Sequence, residues 1–345
     1  MKVIITGGAG FIGHHIVEHF LRNTDWEIDI FDKLTYAASG LDRVRDIDAF
    51  DDKRVSFFAL DLTRPTSVGI AQECFNADYI LHLAAETHVD NSITDPMSFV
   101  YSNVVATGNL LEFARMCDNL KAFIYFSTDE VFGPAAMPGV NPPWVEDAHN
   151  YGYDLYLKET YKEWDRYNCT NPYSATKAGA EQLVLAYMNT YKLPGFITHC
   201  MNVFGERQHP EKYIPLCIRS IIEGKSVTIH SDPTRQKSGS RFYIHARNVA
   251  NAVHFLMERF QQRDIYNIVG EQEVTNLELA QKISDILQQP LYYDMVDFHS
   301  SRPGHDLRYS LDGTKMERMG WTVPITFDES LEKTVKWTFV NNQWL

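Results

Sequence analysis

Up to about residue 200, the chain alternates short apolar runs with longer amphipathic stretches. Lys2-Val-Ile-Ile-Thr6, Glu27-Ile-Asp-Ile-Phe31, Val55-Ser-Phe-Phe-Ala-Leu60, Tyr79-Ile-Leu-His-Leu83, Ala122-Phe-Ile-Tyr-Phe126 and Phe196-Ile-Thr-His-Cys200 read as strands. Between them lie helical stretches: one with Ile16, Val17 and Phe20 on its apolar side, one from about Met97 to Met116, and one from Tyr173 to about Tyr191. Strand–helix alternation of this kind predicts an α/β fold, a doubly wound parallel sheet of the Rossmann type.

Beyond residue 200 the rhythm changes to irregular segments with separate helices over Ile214–Glu223, Asn276–Gln288 and Asp328–Phe339. These predict a smaller, interleaved α/β lobe, with a return to the sheet near Ser240–Met257. The expected division is residues 1–200 plus about 240–260 for the sheet domain, and about 201–239 with 261–345 for the lobe. Pro142–Pro172, rich in tyrosine and charge and bearing Trp144 and Trp164, is either a cover over the site or a surface excursion.

The glycine run Gly7-Gly-Ala-Gly10-Phe-Ile-Gly13 stands directly after the first strand and before the first helix. Glycines there allow a tight turn, close backbone approach to a pyrophosphate and close strand–helix packing. Asp32 ends the second strand about 20 residues on, where a carboxylate binds ribose hydroxyls and repels a 2′-phosphate. The expected cofactor is therefore NAD rather than NADP. Strand ends at Asp61, Ala84-Ala85 and Ser127 should line the same cleft.

Two further segments carry chemistry. Tyr173 and Lys177 are four residues apart, hence on one helix face, where an ammonium can make a phenol a usable base. A phenol near pKa 10 needs about 3 units of depression, roughly 4 kcal/mol, to act near neutrality. One ammonium at about 4–5 Å with an effective dielectric near 20 supplies roughly that, so Lys177 and a nicotinamide cation are jointly sufficient. Asp129 and Glu130 are adjacent carboxylates at the end of the Ala122–Phe126 run. Tyr and Lys alone point to redox chemistry at a hydroxyl. With the acid pair they point to redox coupled to proton abstraction and loss of a leaving group.

Composition narrows the surroundings. The chain has 345 residues, 44% hydrophobic and 22% charged, enough for a large core and with no sign of disorder. A formal net charge of −13 argues against general nucleic-acid binding and against attraction to anionic membranes. No apolar run approaches the roughly 20 residues of a membrane span, and Met1 leads straight into a strand without a signal peptide. Five scattered cysteines (Cys74, Cys117, Cys169, Cys200, Cys217) form no pairing framework and fit a reducing cytoplasm. His14, His15, His82 and His88 have no carboxylate or thiol at ligand spacing, so no metal is expected.

Over nearly its full length the chain resembles the extended short-chain dehydrogenase/reductases, and within them the nucleoside-diphosphate-glucose 4,6-dehydratases. The matching motifs are Thr6-Gly-Gly-Ala-Gly-Phe-Ile-Gly13, His82-Leu-Ala-Ala-Glu-Thr-His-Val-Asp90, Ser127-Thr-Asp-Glu-Val131 and Asn171-Pro-Tyr-Ser-Ala-Thr-Lys177. His209-Pro-Glu-Lys-Tyr-Ile-Pro215, Arg302-Pro-Gly-His-Asp306 and the closing Asn342-Gln-Trp344 follow. The Thr-Asp-Glu triplet is the part specific to the dehydratases; the related 4-epimerases usually lack the acid pair.

The resemblance implies roles. Gly7, Gly10, Phe11, Ile12, Gly13, Asp32, Asp61, Leu62, Ala84, Tyr173 and Lys177 would hold a tightly bound NAD. Tyr173 would take the proton of the sugar 4-hydroxyl, with Thr128 holding that hydroxyl. Glu130 would remove the C5 proton, and Asp129, kept protonated beside another carboxylate in a low-dielectric site, would donate to the departing C6 hydroxyl. His88, Asn202, Lys212, Arg241, Arg302 and Tyr309 would meet the nucleotide sugar, Arg241 matching the arginine that grips the diphosphate. Phe132, Asn202-Val-Phe-Gly205, His230 and the basic Ser231–Ser240 loop depart from the family pattern around the nucleobase, so dTDP-glucose is the first expected substrate and UDP-glucose the next. A nucleotide-sugar 4-epimerase is the alternative activity. A homodimer built on the Met97–Met116 and Tyr173 helices is the expected assembly.

Overall fold

The computed structural model describes residues 1–65, 74–136, 158–297 and 307–345. In chain order its strands are β1 (Lys2–Thr6), β2 (Glu27–Asp32), β3 (Val55–Ala59), β4 (Tyr79–His82), β5 (Ala122–Thr128), β6 (Gly195–Cys200), β7 (Asn202–Phe204), β8 (Val227–Ser231), β9 (Ser240–His245), β10 (Asp264–Ile268), β11 (Glu273–Thr275) and β12 (Tyr293–Asp297). Seven form one parallel sheet in the order β10-β6-β5-β4-β1-β2-β3. The chain winds outward from β1 to β3, then returns to lay β4 against β1. That reversal opens a crevice at the carboxyl ends of β1 and β4, the place where open α/β sheets bind ligands.

Helices cover both faces, which is why β4 and β5 are buried along their whole length and read as continuous apolar runs. On one face Ile16, Val17 and Phe20 of helix Phe11–Asn23 pack with Val249, Val253 and Leu256 of helix Ala246–Arg259. On the other, Leu110 and Phe113 of helix Ala106–Ala114 meet Val184 and Met188 of helix Pro172–Thr190.

Two boundaries differ from the sequence expectation. Strand β10, assigned to the lobe, pairs with β6 as the outermost strand of the main sheet. Conversely, Ser240–His245 does not return to that sheet; it lies between β7 and β11 in a separate three-stranded one, and only the helix after it packs on the main domain. Short runs such as Asp264-Ile-Tyr-Asn-Ile268 carry no pattern that says which sheet will take them. The smaller lobe adds the β12–β8 pair and helices Tyr213–Ile222, Asn276–Leu287 and Phe327–Val340 around a core of Ile218, Ile229, Leu279 and Leu331. Capping boxes begin two of these helices, Thr275 with Glu278 and Thr326 with Glu329.

The expected Met97–Met116 helix is interrupted. Pro96–Phe99 runs into a wider π turn at Val100–Val105 before Ala106–Ala114 resumes the α geometry. The interruption falls at Asn103, whose side chain is buried against helix Pro172–Thr190. Among the described residues no helix is long and apolar enough to cross a membrane, and no group of His, Cys, Asp and Glu could hold a metal.

Candidate active site

The glycine turn builds the floor of the cleft. Gly7 has φ 70°, and a Cβ there would stand 2.9 Å from the Ala84 nitrogen; a Cβ on Gly13 would stand 2.1 Å from the Gly7 carbonyl oxygen. Helix Phe11–Asn23 starts at Gly10 with no side-chain cap and no acid in its first turn, leaving its N–H groups open to an anion. Asp32 accepts from Ala9 N at 3.1 Å and Leu34 N at 2.8 Å. Burial pushes its carboxyl up, and those two N–H groups pull it back. All eleven residues expected to hold the dinucleotide (Gly7, Gly10, Phe11, Ile12, Gly13, Asp32, Asp61, Leu62, Ala84, Tyr173 and Lys177) line one continuous cleft, joined by Tyr36, Gln208, His209, Glu211 and Lys212. A backbone cradle, an open helix N-terminus and an acid at the end of β2 lining the same cleft fit NAD.

Beyond the crevice, helix Pro172–Thr190 presents the Tyr–Lys pair. Asn171 caps it: its Oδ1 accepts from Ser174 N at 2.8 Å, and Pro172 fills the first helical position. The Tyr173 backbone N–H donates to Ser92 Oγ at 3.2 Å. Asn103 ties Glu86 to Thr176, donating to the Glu86 carbonyl oxygen and to Thr176 Oγ1, both at 3.0 Å. Tyr173 and Lys177 are 8% and 4% exposed.

The sequence expectation weighs two cations, Lys177 and the nicotinamide, against the phenol and leaves burial out. Burial, then the Glu130 charge, push Tyr173 well above the ordinary phenol range, while Thr128 pulls the other way. The Lys177 ammonium lies 4.4 Å from the centroid of the Tyr125 ring. Burial lowers Lys177 to about 7, opposed first by Glu181. Desolvation of this kind works against the cations and is not visible from residue spacing.

The acid pair sits on a turn, Asp129–Phe132, that follows β5 directly. Thr128 donates to Asp129 Oδ1 at 3.0 Å and accepts from Glu130 N at 3.3 Å. Asp129 is buried and raised to about 6, by burial first, with Arg241 and Thr128 opposing. Its Oδ2 has no hydrogen-bond partner among the described residues. Glu130, half-buried, takes a hydrogen bond from Asn171 Nδ2 at 3.0 Å. The two carboxyls thus have different surroundings, one shut in and one held from the Tyr173 helix.

The residues expected at the nucleotide sugar are spread more widely. Lys212 lines the cleft. His88 accepts from Asn91 N at 3.4 Å, and its Nε2 lies 3.8 Å from Glu211 Oε2. The Arg241 guanidinium stacks 4.5 Å from the centroid of the buried Tyr309 ring and donates to the Ser240 carbonyl oxygen at 2.7 Å. Asn202 is exposed on β7 and lines no part of the cleft. Arg302 and most of the Pro142–Pro172 excursion lie outside the described residues.

Sequence reasoning missed Asn171, Ser92 and Asn103 as supports. Only Asn171 carried a readable signal, an N-cap residue before a proline at the head of a helix.

Fold and site together define the Rossmann-type short-chain dehydrogenase/reductase class. The chain belongs to the NAD dependent epimerase/dehydratase family, whose model matches residues 3–269. It is 35% identical to a dTDP-glucose 4,6-dehydratase of Salmonella typhimurium, covering 100% of this chain and 94% of that protein. A dTDP-glucose 4,6-dehydratase of Escherichia coli strain K12 is 34% identical over the same shares. Among solved structures, the dTDP-glucose 4,6-dehydratase of Streptomyces venezuelae with NAD bound superposes with a TM-score of 0.83 at 32% identity, covering 100% of this chain and 98% of that one. The UDP-glucose 4-epimerase of Thermus thermophilus, a complex with NAD, reaches a TM-score of 0.80 at 26% identity, with 98% of each chain covered.

Proposed function

We propose that this protein dehydrates dTDP-glucose to the 4-keto-6-deoxy sugar with a tightly bound NAD. The observation that carries the reading is the acid pair at the end of β5, one member shut in and pushed up by burial, the other hydrogen-bonded to the residue that caps the Tyr173 helix. An epimerase needs Tyr173 and Lys177 but has no work for these acids.

NAD, when bound, supplies a hydride acceptor for C4, a hydride donor for C6 and a positive charge that favours the phenolate. Tyr173 takes the proton of the 4-hydroxyl, and Thr128 orients that hydroxyl. The resulting ketone acidifies C5, whose proton Glu130 takes; a proton returns to C5 as C6 is reduced. Asp129 gives its proton to the departing C6 hydroxyl through the oxygen that has no other partner. The cycle is redox-neutral and leaves water as the only other product.

Lys212, His88, Arg241 and Tyr309 are the described groups assigned here to the nucleoside diphosphate. dTDP follows the similar dehydratases. The test is incubation with dTDP-, UDP- and GDP-glucose and mass spectrometry of the products. Loss of one water from dTDP-glucose is expected; a 4-epimer of unchanged mass would overturn the reading.

A homodimer completes the proposal. Ile93, Met97, Tyr101 and Val105 stand on successive turns and are 37% to 54% exposed. Beside them Ala175, Gly179 and Ala186 form an exposed small-residue face on helix Pro172–Thr190. Two copies of this pair would bury the stripe as a four-helix interface. Sedimentation as a monomer at micromolar concentration would refute it. All five cysteines are free thiols, which suits a reducing, cytoplasmic setting.

A further inference from the structure

Behind Tyr173 and Lys177 lies a buried polar cluster that no step above uses. Glu181 follows Lys177 by four residues, as Lys177 follows Tyr173, so the three share one face of helix Pro172–Thr190. The Glu181 side chain is completely shielded from solvent. Its Oε1 accepts from the Tyr167 hydroxyl, and its Oε2 lies 3.2 Å from His199 Nε2. His199 Nδ1 lies 3.0 Å from Asn267 Oδ1. The Asn267 amide nitrogen donates to the Tyr161 carbonyl oxygen at 3.3 Å and the Asp312 carbonyl oxygen at 3.2 Å, so both ring nitrogens of His199 face acceptors. Phe132, at the end of the acid-pair turn, packs on this cluster, its ring 4.9 Å from that of His199 and 5.1 Å from that of Tyr167.

A buried carboxylate is costly unless something is gained by its charge. Lys177 is faced by Tyr173 and Glu181 on its own helix, by His82 on β4, by the Tyr125 ring on β5 and by Cys200 on β6, with Asp129 beyond Cys200. Burial raises the Cys200 thiol to about 12 and Tyr125 well above the ordinary phenol range, so both stay neutral. Burial also pushes Glu181 up, but His199 and the Tyr167 hydroxyl outweigh it and hold the carboxyl below its ordinary range.

We propose that Glu181 is a positioning residue for the reaction, a resident anion one helical turn below Lys177 that keeps the lysine in its ammonium form while Tyr173 gains and loses its proton. This rests on the oxidoreductive role assigned above to the Tyr–Lys pair. A nearby opposite charge favours the charged form of an ionisable group, and Glu181 is the first group that opposes the burial lowering Lys177 to about 7. Loss of the Glu181 charge should therefore bring the lysine's titration further down, below neutrality, and leave it uncharged at working pH.

The test compares the intact protein with Glu181→Gln and Glu181→Asp. The first measurement is an NMR titration of side-chain-labelled lysine, with the Lys177 signal assigned by its loss in Lys177→Met. The second is the alkaline limb of dTDP-glucose turnover. Glu181→Gln should lower both midpoints by about one pH unit or more, with turnover recovering at lower pH. Glu181→Asp, whose charge is drawn back by one methylene, should fall between. A support role without charge would reduce turnover equally at all pH and leave both midpoints in place, which overturns the proposal. Should Glu181→Gln fail to fold, the Asp variant decides by the same shift. A native protein without turnover counts against the dehydratase reading alone, since the titration still judges Glu181.

Discussion

Asn171 and Glu130, 41 positions apart in sequence, are joined by a 3.0 Å hydrogen bond from the Asn171 amide to a Glu130 carboxylate oxygen. The same Asn171 side chain caps the helix bearing Tyr173 and Lys177 through its other polar atom. One side chain therefore sets the helix start and aims the base. Asn171→Ala should cost about 1 kcal/mol of stability from the lost cap and slow product formation. Asn171→Asp keeps the cap oxygen but turns a second carboxylate toward Glu130, so it should spare stability and damage turnover more. Thermal unfolding and product assays on both variants check this; equal turnover in the two would detach Asn171 from Glu130.

Glu130 and Tyr173 should block different half-reactions. Glu130→Gln keeps the shape and loses the proton acceptor, so substrate should be oxidised at C4 and go no further. Persistent absorbance of reduced nicotinamide and little solvent deuterium at C5 are expected. Tyr173→Phe should produce no such absorbance, because the first proton cannot leave. Near-normal dehydration by Glu130→Gln would remove it from the mechanism.

Asp129 makes stability depend on pH with a definite sign. Its folded-state value, about 6 because of burial, lies above the ordinary aspartate value near 4. The folded protein thus holds this proton more tightly than the unfolded chain. The contribution is fully present below about pH 4 and is lost as pH rises through 6. Relative to Asp129→Asn, the native unfolding midpoint should decline between pH 4.5 and 7, values chosen as roughly spanning that window. A relative rise would mean that Arg241 and Thr128 hold the carboxyl ionised.

Asp32 does more than meet a ribose. Because it accepts from Ala9 N and Leu34 N, Asp32→Ala should loosen the glycine turn as well as remove the ribose contact. NAD should copurify with the native protein and be largely lost from the variant, measured by absorbance ratio and by calorimetric titration. Undiminished retention of NAD would refute the assignment.

What the sequence determined on its own is what depends on near neighbours along the chain. Apolar runs of strand length between amphipathic stretches specify a sheet covered on both faces. Gly7, Gly10 and Gly13 sit where side chains would strike backbone, so their role is written locally. Tyr173 and Lys177 share a helix face by spacing alone, and Asp129 and Glu130 are adjacent by covalent connection. Tertiary structure decided everything that joins distant segments or sums over many of them. It put β10 rather than β9 in the main sheet, because edge pairing depends on which surface remains open after the other strands have packed. It brought Asn171 to Glu130, and His199 and Tyr167 to Glu181. It also set the burial that pushes the Tyr173 phenol up: a Coulomb pair can be guessed from two residue names, whereas desolvation is set by every atom that excludes water from the site.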